Sequence, residues 1–350
     1  MIEYSPLPKI IPGGNETMSD IYIQDSALKL SLCEGRMIVR NDSREIVEEI
    51  GLDEIENVLI FGQSQLTTQL LKKLSLKKIN THFFTDNGRY IATVDSGREE
   101  NFTKQEQQAK AHFNIPFRTN MARRMLSSKV QNQMNLLKAF DQENLLDEED
   151  YQRFSRALKQ ISLAESIHEM MGYEGKCAKS YFYFLGLLVP EPFAFSGRTR
   201  RPAMDCFNSL LNFGYSILYS FMIGMVRKAG LSQGFAMIHE NYGHHASLAS
   251  DLMEEWRPVI VDDLVMTMLG NGSIGQDSFA KTEEGLFLTR EAQRLFLTAL
   301  SSRMLEIHSY IEGDKKRYSF IYMVEMQIDS LIRAFAEEDP SVYLVSFTGE

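Results

Sequence analysis

A cluster of side chains that can bind metal lies between residues 234 and 258, in the stretch GFAMIHENYGHHASLASDLMEEWRP. Three of the chain's seven histidines fall there, and three acidic residues follow the last of them: His239, His244, His245, Asp251, Glu254 and Glu255. Imidazole nitrogens and carboxylate oxygens are donors that divalent ions such as Mn²⁺ and Mg²⁺ accept in proteins. The residue types therefore indicate a candidate metal site.

The pattern SLASDLMEEW predicts a helix that carries the acidic residues. Asp251, Glu254 and Glu255 stand at positions i, i+3 and i+4, so that they share one helix face, and adjacent carboxylates repel unless a cation lies between them. His239 precedes Asp251 by twelve residues, across a loop with Gly243, which is enough chain to fold back onto the helix. The nitrogen ligand favours manganese somewhat over magnesium.

A second candidate ligand is Glu174, in the stretch MMGYEGKCAKSYF. The acid sits in an apolar helical pattern, where a buried carboxylate needs a partner, and Gly175 and Ala178 would allow another helix to approach. Three alternatives stay open at this point. Glu174 could simply be favoured by a helix dipole, the acids after Asp251 could face solvent, and spacing alone does not choose among the three histidines.

The charge balance restricts how this chain could meet nucleic acid. Its formal net charge is −10, which argues against nonspecific attraction of the whole molecule to DNA. Any phosphate contact must come from a local basic patch, and the candidate is SGRTRRP, with Arg198, Arg200 and Arg201. The alternative is a solvated surface loop.

The hydrophobic pattern changes along the chain and predicts an α+β fold. Up to about residue 95 it favours short strands, with a hairpin over residues 28 to 41, a buried strand over 57 to 62, and a turn at residues 86 to 88. One helix is expected over residues 64 to 74, with Ser64 as its N-cap. From about residue 103 the period is helical. The predicted organisation is an extension over residues 1–17, a small β-rich domain over 18–98 and a larger all-α catalytic domain over 103–350.

The cysteines and apolar runs indicate a cytoplasmic protein. Cys33, Cys177 and Cys206 are odd in number and far apart, which fits neither a disulfide framework nor a thiolate zinc site. The chain's start lacks the pattern of a secretion signal. The apolar runs at 181–189 and 214–226 fall short of the roughly 20 residues needed to cross a bilayer, so buried helices are expected.

Three segments, in order, resemble one known family. They are YEGKCAKSYF, RRPAMDCFNSLLNFGY and the stretch from GFAMIH to DLMEEWRP. Each is weak alone, but together they are similar to the CRISPR-associated integrase and endonuclease of spacer acquisition, the Cas1 adaptation proteins. The resemblance covers most of the chain and implies a small β domain followed by a larger helical one.

The resemblance also implies the site. The family's metal ligands fall on Glu174, His239 and Asp251, with Glu254 at the position of a further active-site acid, and Mg²⁺ or Mn²⁺ as the ion. The implied reaction is transesterification, in which the 3′-hydroxyl of a short protospacer DNA attacks a phosphodiester at a CRISPR repeat. The glutamate at position 254, where the family often has aspartate, is a departure that affects this fourth position only.

The implied partners are DNA, a second copy of the chain, and a small adaptation protein. A dimer of that protein would bridge two homodimers into a heterohexamer, and the β half would supply much of the homodimer contact. No membrane partner is expected. Two other functions remain open: a helical nucleic-acid-binding scaffold with a structural metal site, and a metal-dependent nuclease unrelated to integration.

Overall fold

The computed structural model describes residues 2–4, 19–25, 27–94, 101–195, 197–199, 202–240, 243, 245–309 and 316–346. The chain divides into two compact units. Unit 1 contains residues 1–99 together with residues 288–302, and unit 2 contains residues 100–287 and 303–350. The α+β class is confirmed, because strands dominate unit 1 and helices dominate unit 2.

The described residues of unit 1 before residue 95 form two sheets and a short helix. In chain order these elements are β1 (Ile2–Tyr4), β2 (Ser19–Ile23), β3 (Lys29–Cys33), β4 (Arg36–Arg40), β5 (Ile46–Gly51), β6 (Ile55–Phe61), β7 (Gln65–Leu66), α1 (Thr68–Leu76), β8 (Asn80–Phe84) and β9 (Tyr90–Val94). One sheet has the order β1-β2-β6-β8-β9, with β2, β6 and β8 parallel, and the other has the order β5-β4-β3-β7. Their buried aliphatic residues form one core with α1.

The hairpin expected over residues 28 to 41 is confirmed. Strands β3 and β4 pair antiparallel, with Cys33 opposite Arg36. The two turn residues have positive φ angles, 47° at Glu34 and 77° at Gly35. Both central positions of such a two-residue turn need φ above zero, which glycine adopts without strain.

The expected helix over residues 64 to 74 begins later than the sequence indicated. Its cap is Thr67, whose side chain accepts a hydrogen bond from the amide of Leu70, and not Ser64. The Ser64 hydroxyl donates instead to the carbonyl of Asp25. The residues between them, Gln65–Leu66, pair with β3 as strand β7, so strand pairing delays the helix by several residues.

Residues 288–302 belong to the β-rich unit although their pattern is helical. They form most of helix α9 (Arg290–Leu305). Arg290 Nη1 donates to the carbonyl of Gln24 at 2.6 Å, and Gln293 Nε2 donates to the carbonyl of Asp86 at 2.9 Å. These long-range contacts attach the segment to the strands.

Unit 2 is built from long helices. They are α2 (Phe102–Phe113), α3 (Ile115–Phe140), α4 (Glu148–Leu163), α5 (Ile167–Leu188), α6 (Cys206–Lys228), α7 (Ser247–Trp256), α8 (Asp263–Gly270) and α10 (Phe320–Glu337). A π-helical turn, Arg257–Asp262, joins α7 to α8. The expected all-α domain also contains two short hairpins, which are β10 (Phe279–Thr282) with β11 (Gly285–Leu288), and β12 (Ile307–His308) with β13 (Tyr318–Ser319).

Three of these helices, α3, α5 and α7, carry the candidate site, and α3 packs against both of the others. Helix α3 begins at Asn114, whose side chain accepts a hydrogen bond from the amide of Phe117, and a proline occupies its first turn. Helix α5 begins at Ser166, which caps the amide of Glu169 in the same way. Local sequence therefore determines where two of the three helices start.

Helix α6 is long and apolar enough to cross a membrane by length and composition. Within its most apolar window, 67% of the stretch is buried inside the protein. A core helix meets the same criterion, and α6 packs against α7 within unit 2.

Candidate active site

Asp251 is the centre of a hydrogen-bond network between α7 and the segment before it. Its Oδ2 accepts hydrogen bonds from the amides of Met237, at 2.5 Å, and Ile238, at 2.7 Å. Its Oδ1 accepts from the amide of His239, at 3.1 Å, and lies 2.7 Å from Nδ1 of the same residue. Asp251 is fully buried. A carboxylate has about four acceptor positions, and these four contacts occupy all of them.

The same segment is also held through its carbonyl groups. Arg118 on α3 donates to the carbonyl oxygens of Met237 and His239, each at 3.2 Å. His112 on α2 has its Nδ1 2.6 Å from the carbonyl oxygen of Ala236. The backbone around His239 is therefore held through its amides by Asp251 and through its carbonyls by Arg118 and His112. These contacts fix the position of the histidine in the ligand-free protein.

Glu174 and Glu254 face each other across the ammonium group of Lys129. Its Nζ lies 2.5 Å from Oε1 of Glu174 on α5 and 2.5 Å from Oε2 of Glu254 on α7. The three side chains are only 7% to 14% exposed. Oε1 of Glu254 lies 2.8 Å from Nη1 of Arg257. The charges of two acidic and two basic side chains are thus balanced against each other in this cluster.

These neighbours set the charges of the cluster. Burial acts to raise the pKa of Glu254, but Arg257 and Lys129 outweigh it and lower that pKa to about 2. Burial acts to lower the pKa of Lys129, but the carboxylates of Glu254 and Glu174 outweigh it, so that this pKa is raised. Glu254 and Lys129 are therefore both ionised at neutral pH.

Of the three candidate histidines, His239 lies beside the acids. Its hydrogen bond to Asp251 is the main cause of its raised pKa, and its side chain remains 35% exposed. His245 instead stacks on the ring of Tyr219. His244 lies outside the described residues. The structure thus distinguishes His239 from His245 by its contacts.

The predicted site residues form two pairs. Glu174 and Glu254 share Lys129, while His239 and Asp251 are hydrogen bonded to each other. The charge of Glu254 contributes to the raised pKa of His239, so the pairs interact electrostatically. Within the described ranges, no three His, Cys, Asp or Glu side chains converge closely enough to share one ion. The ligand set Glu174, His239 and Asp251 stays a prediction.

Arg198 in the basic loop is engaged with its own unit. Its guanidinium donates to the side-chain oxygens of Asn208, at 2.8 Å, and Asn212, at 2.7 Å. It also lies over the rings of Phe182 and Tyr215. These contacts anchor the loop to α5 and α6. The other two arginines of the predicted phosphate patch, Arg200 and Arg201, lie outside the described residues, and the phosphate contact stays a prediction.

Sequence reasoning missed the basic residues of the cluster. Lys129 follows Met121 and Met125 at steps of four, the spacing of one helix face, and both methionines are fully buried. A lysine on that face needs a buried acid, and this signal could have been used. Arg257 stands three residues after Glu254, which is also a helical pairing distance. Their partners on other helices could not be read from spacing.

The fold of the chain is shared with solved structures of one class. The structure of a Cas6-RT-Cas1–Cas2 complex matches with a TM-score of 0.83 and 25% identity, over 99% of this chain and 38% of that longer one. A casposase bound to integration product matches with a TM-score of 0.81 and 22% identity, over 92% of each chain. These likenesses place the fold in the Cas1 class.

The chain belongs to the family of CRISPR associated protein Cas1, whose family model matches residues 21–302. A relative, the CRISPR-associated endonuclease Cas1 of Mycobacterium tuberculosis, is 32% identical over 327 residues. That alignment covers 93% of this chain and 96% of the relative. The family resemblance that the three sequence segments indicated is thereby confirmed.

Proposed function

We propose that the protein is a divalent-metal-dependent DNA endonuclease and integrase of CRISPR adaptation. It joins the 3′-hydroxyl ends of short DNA to a repeat by transesterification. Family membership and the endonuclease name of the mycobacterial relative support this proposal. The observation that carries it is the pair of buried carboxylates, Glu174 and Glu254, which face each other across a cation beside His239.

The donor types at this site, two carboxylates and an imidazole, are those that a divalent ion binds, and the two carboxylates already face each other. Oε1 of Glu174 and Oε2 of Glu254 are buried, and each lies 2.5 Å from Nζ of Lys129, the only kind of partner in the described part of the chain that these two oxygens have. Carboxylate oxygens are the donors that a hard cation prefers. His239 adds an imidazole whose Nδ1 is held by Asp251, which leaves Nε2 as the candidate ligand atom.

The ligand set that we propose differs in one position from the set that the family resemblance implies, with Glu254 in place of Asp251. We propose Glu174, His239 and Glu254 as the ligands of Mg²⁺ or Mn²⁺, with Asp251 orienting His239. Asp251 is saturated by three backbone amides and the imidazole, so it could bind an ion only by giving up contacts that hold the segment. A carboxylate that orients a metal-binding imidazole is a common arrangement in metal sites.

The chain's own groups have definable tasks in phosphoryl transfer. A bound divalent ion would lower the pKa of the attacking hydroxyl and neutralise charge on the phosphate. Arg257, held by Glu254 and by the ring of Tyr215, supplies a fixed positive charge beside the site. Arg118 donates to the backbone carbonyl of His239, and Asp251 contacts Nδ1 of its ring, so that both the backbone and the ring are held in place. Such positioning and fixed charge account for most of catalysis in phosphoryl transfer.

A strand-transfer assay tests the proposal. A short duplex with labelled 3′-hydroxyl ends is incubated with a plasmid that carries a repeat, with and without Mn²⁺ or Mg²⁺. We expect metal-dependent joined products from the wild type and none from Glu174→Gln. The matched control is Glu169→Gln, an exposed acid on the same helix. Metal-dependent cutting without joining would favour an unrelated nuclease, and DNA binding without either reaction would favour a scaffold.

The proposed assembly is a heterohexamer in the cytoplasm. Two homodimers, with the β half contributing much of each contact, would be bridged by a dimer of a small adaptation partner. The similarity of this chain to the solved Cas6-RT-Cas1–Cas2 complex supports Cas2 as that partner. Two sites would then act on the two strands of a repeat. The three free cysteines fit a reducing compartment. Analytical ultracentrifugation tests the assembly, and a strict monomer at micromolar concentration would contradict it.

A further inference from the structure

The ammonium group of Lys129 lies between the two carboxylates that we propose as metal ligands. Its Nζ is 2.5 Å from Oε1 of Glu174 and 2.5 Å from Oε2 of Glu254, on the oxygens that face each other. The lysine side chain is 11% exposed. Two ionised carboxylates this close would repel strongly in a buried site, and one positive charge between them removes that repulsion.

The backbone that carries this lysine is fixed by its neighbours. Ser128 donates through its hydroxyl to the carbonyl of Ser346 at 2.6 Å. Asn132, one helical turn later, donates to the carbonyl of Glu255 at 3.0 Å and to the carbonyl of Ser346 at 3.1 Å. These hydrogen bonds hold this part of α3 beside Glu255 of α7, so the lysine side chain can leave the carboxylates without movement of the helix.

We propose that Lys129 is a resident cation that holds Glu174 and Glu254 together in the metal-free protein and competes with the divalent ion for them. This inference rests on the proposed ligand assignment. An ammonium group and a divalent ion repel each other and cannot both contact the same two oxygens. Metal binding therefore requires the ammonium to withdraw, and Lys129 lowers the affinity of the site for the ion.

The structure distinguishes this lysine from the other cation of the cluster. Arg257 contacts Oε1 of Glu254, the oxygen that Lys129 does not use, and its guanidinium also lies over the ring of Tyr215. It can stay in place while Oε2 changes its partner. Lys129 has a compact charge on a flexible stem, so its side chain can withdraw from the carboxylates while Arg257 stays in place.

Metal binding without DNA tests the inference. Mn²⁺ affinity is measured by calorimetry for wild type, Lys129→Met, Lys129→Arg and a control, Lys179→Met, which removes an exposed lysine from the helix of Glu174. We expect Lys129→Met to bind Mn²⁺ about tenfold or more tightly, since a positive charge within a few ångströms of the ion is lost. Lys129→Arg and Lys179→Met should remain within about twofold of wild type.

Mn²⁺ binding by Glu174→Gln separates an error in the proposed metal site from an error in the proposed competition. If Glu174→Gln binds Mn²⁺ as well as wild type does, the proposed metal site is wrong. If Glu174→Gln loses Mn²⁺ binding while Lys129→Met binds no more tightly than wild type, the site stands and the competition is refuted.

A second measurement needs no variant, in case Lys129→Met does not fold. Wild-type protein is treated with an acetylating reagent with and without saturating Mn²⁺, and the modification of each lysine is measured by mass spectrometry. We expect Lys129 to be protected without the ion and to react several-fold faster with it, while Lys179 reacts equally in both. Unchanged protection of Lys129 in saturating Mn²⁺ would overturn the inference.

Discussion

Replacing Asp251 with asparagine separates the two roles that a carboxylate could have at this site. Asp251 accepts three backbone amides and the Nδ1 group of His239. An asparagine side chain keeps one acceptor oxygen and has an amino group in place of the other. About two of the donors that now contact Asp251 would then face another donor and lose their hydrogen bonds. A hydrogen bond to a charged group contributes about 1.5–3 kcal/mol. The expected loss in free energy of unfolding is therefore about 3–6 kcal/mol.

That loss is comparable with the whole stability of a typical domain, which is about 5–15 kcal/mol. Glu254→Gln should lower the free energy of unfolding by less, because Lys129 keeps its ion pair with Glu174 and Arg257 keeps its contact with the ring of Tyr215. Urea unfolding followed by circular dichroism gives the free energies, and calorimetry gives the Mn²⁺ affinities. We expect Asp251→Asn to lose more stability and Glu254→Gln to lose more Mn²⁺ affinity.

The reverse result would refute this reasoning. If Asp251→Asn keeps the stability of the wild type but no longer binds Mn²⁺, then Asp251 is a direct ligand, as the family resemblance implied. If Glu254→Gln also keeps full Mn²⁺ affinity, Glu254 is not a ligand. Both variants have nearly the size of the residues they replace, so differences in packing do not confuse the comparison.

Polar groups buried elsewhere in the chain lead to three further predictions. Tyr343→Phe removes a hydroxyl that donates to Glu255 at 2.5 Å and should lower the free energy of unfolding by about 1.5–3 kcal/mol in urea. Two tyrosine hydroxyls donate to Asp262, whose pKa burial raises to about 6. The native state then holds a proton that the unfolded chain has lost, so wild type should lose up to about 3 kcal/mol as pH rises from about 4 to 6. Asp262→Asn should flatten this dependence, and an unchanged profile would contradict it. Arg198→Ala should lower the melting temperature, because its guanidinium is held by side chains of α6. If the predicted phosphate contact exists, the variant should also flatten the salt dependence of DNA binding, and an unchanged dependence would contradict that contact.

Local sequence was sufficient to predict the short-range features of this protein. The turn at Glu34 and Gly35 follows from residues that tolerate positive φ. Helix α7 follows from the spacing of its apolar residues, and its acids share a face because of the helical period. The family was predictable because three motifs occur in order, and the family model then confirmed it.

Only the tertiary structure decided which groups meet. Thr67 caps α1 instead of Ser64 because residues 65–66 pair with a distant strand. Residues 288–302 join the β-rich unit through hydrogen bonds to residues more than two hundred positions away. Lys129 reaches acids on two other helices, and the spacing of residues along one helix contains no information about which side chain another helix presents. For the same reason, the sequence placed Asp251 and Glu254 on one helix but could not say that backbone amides fill the first and a lysine faces the second.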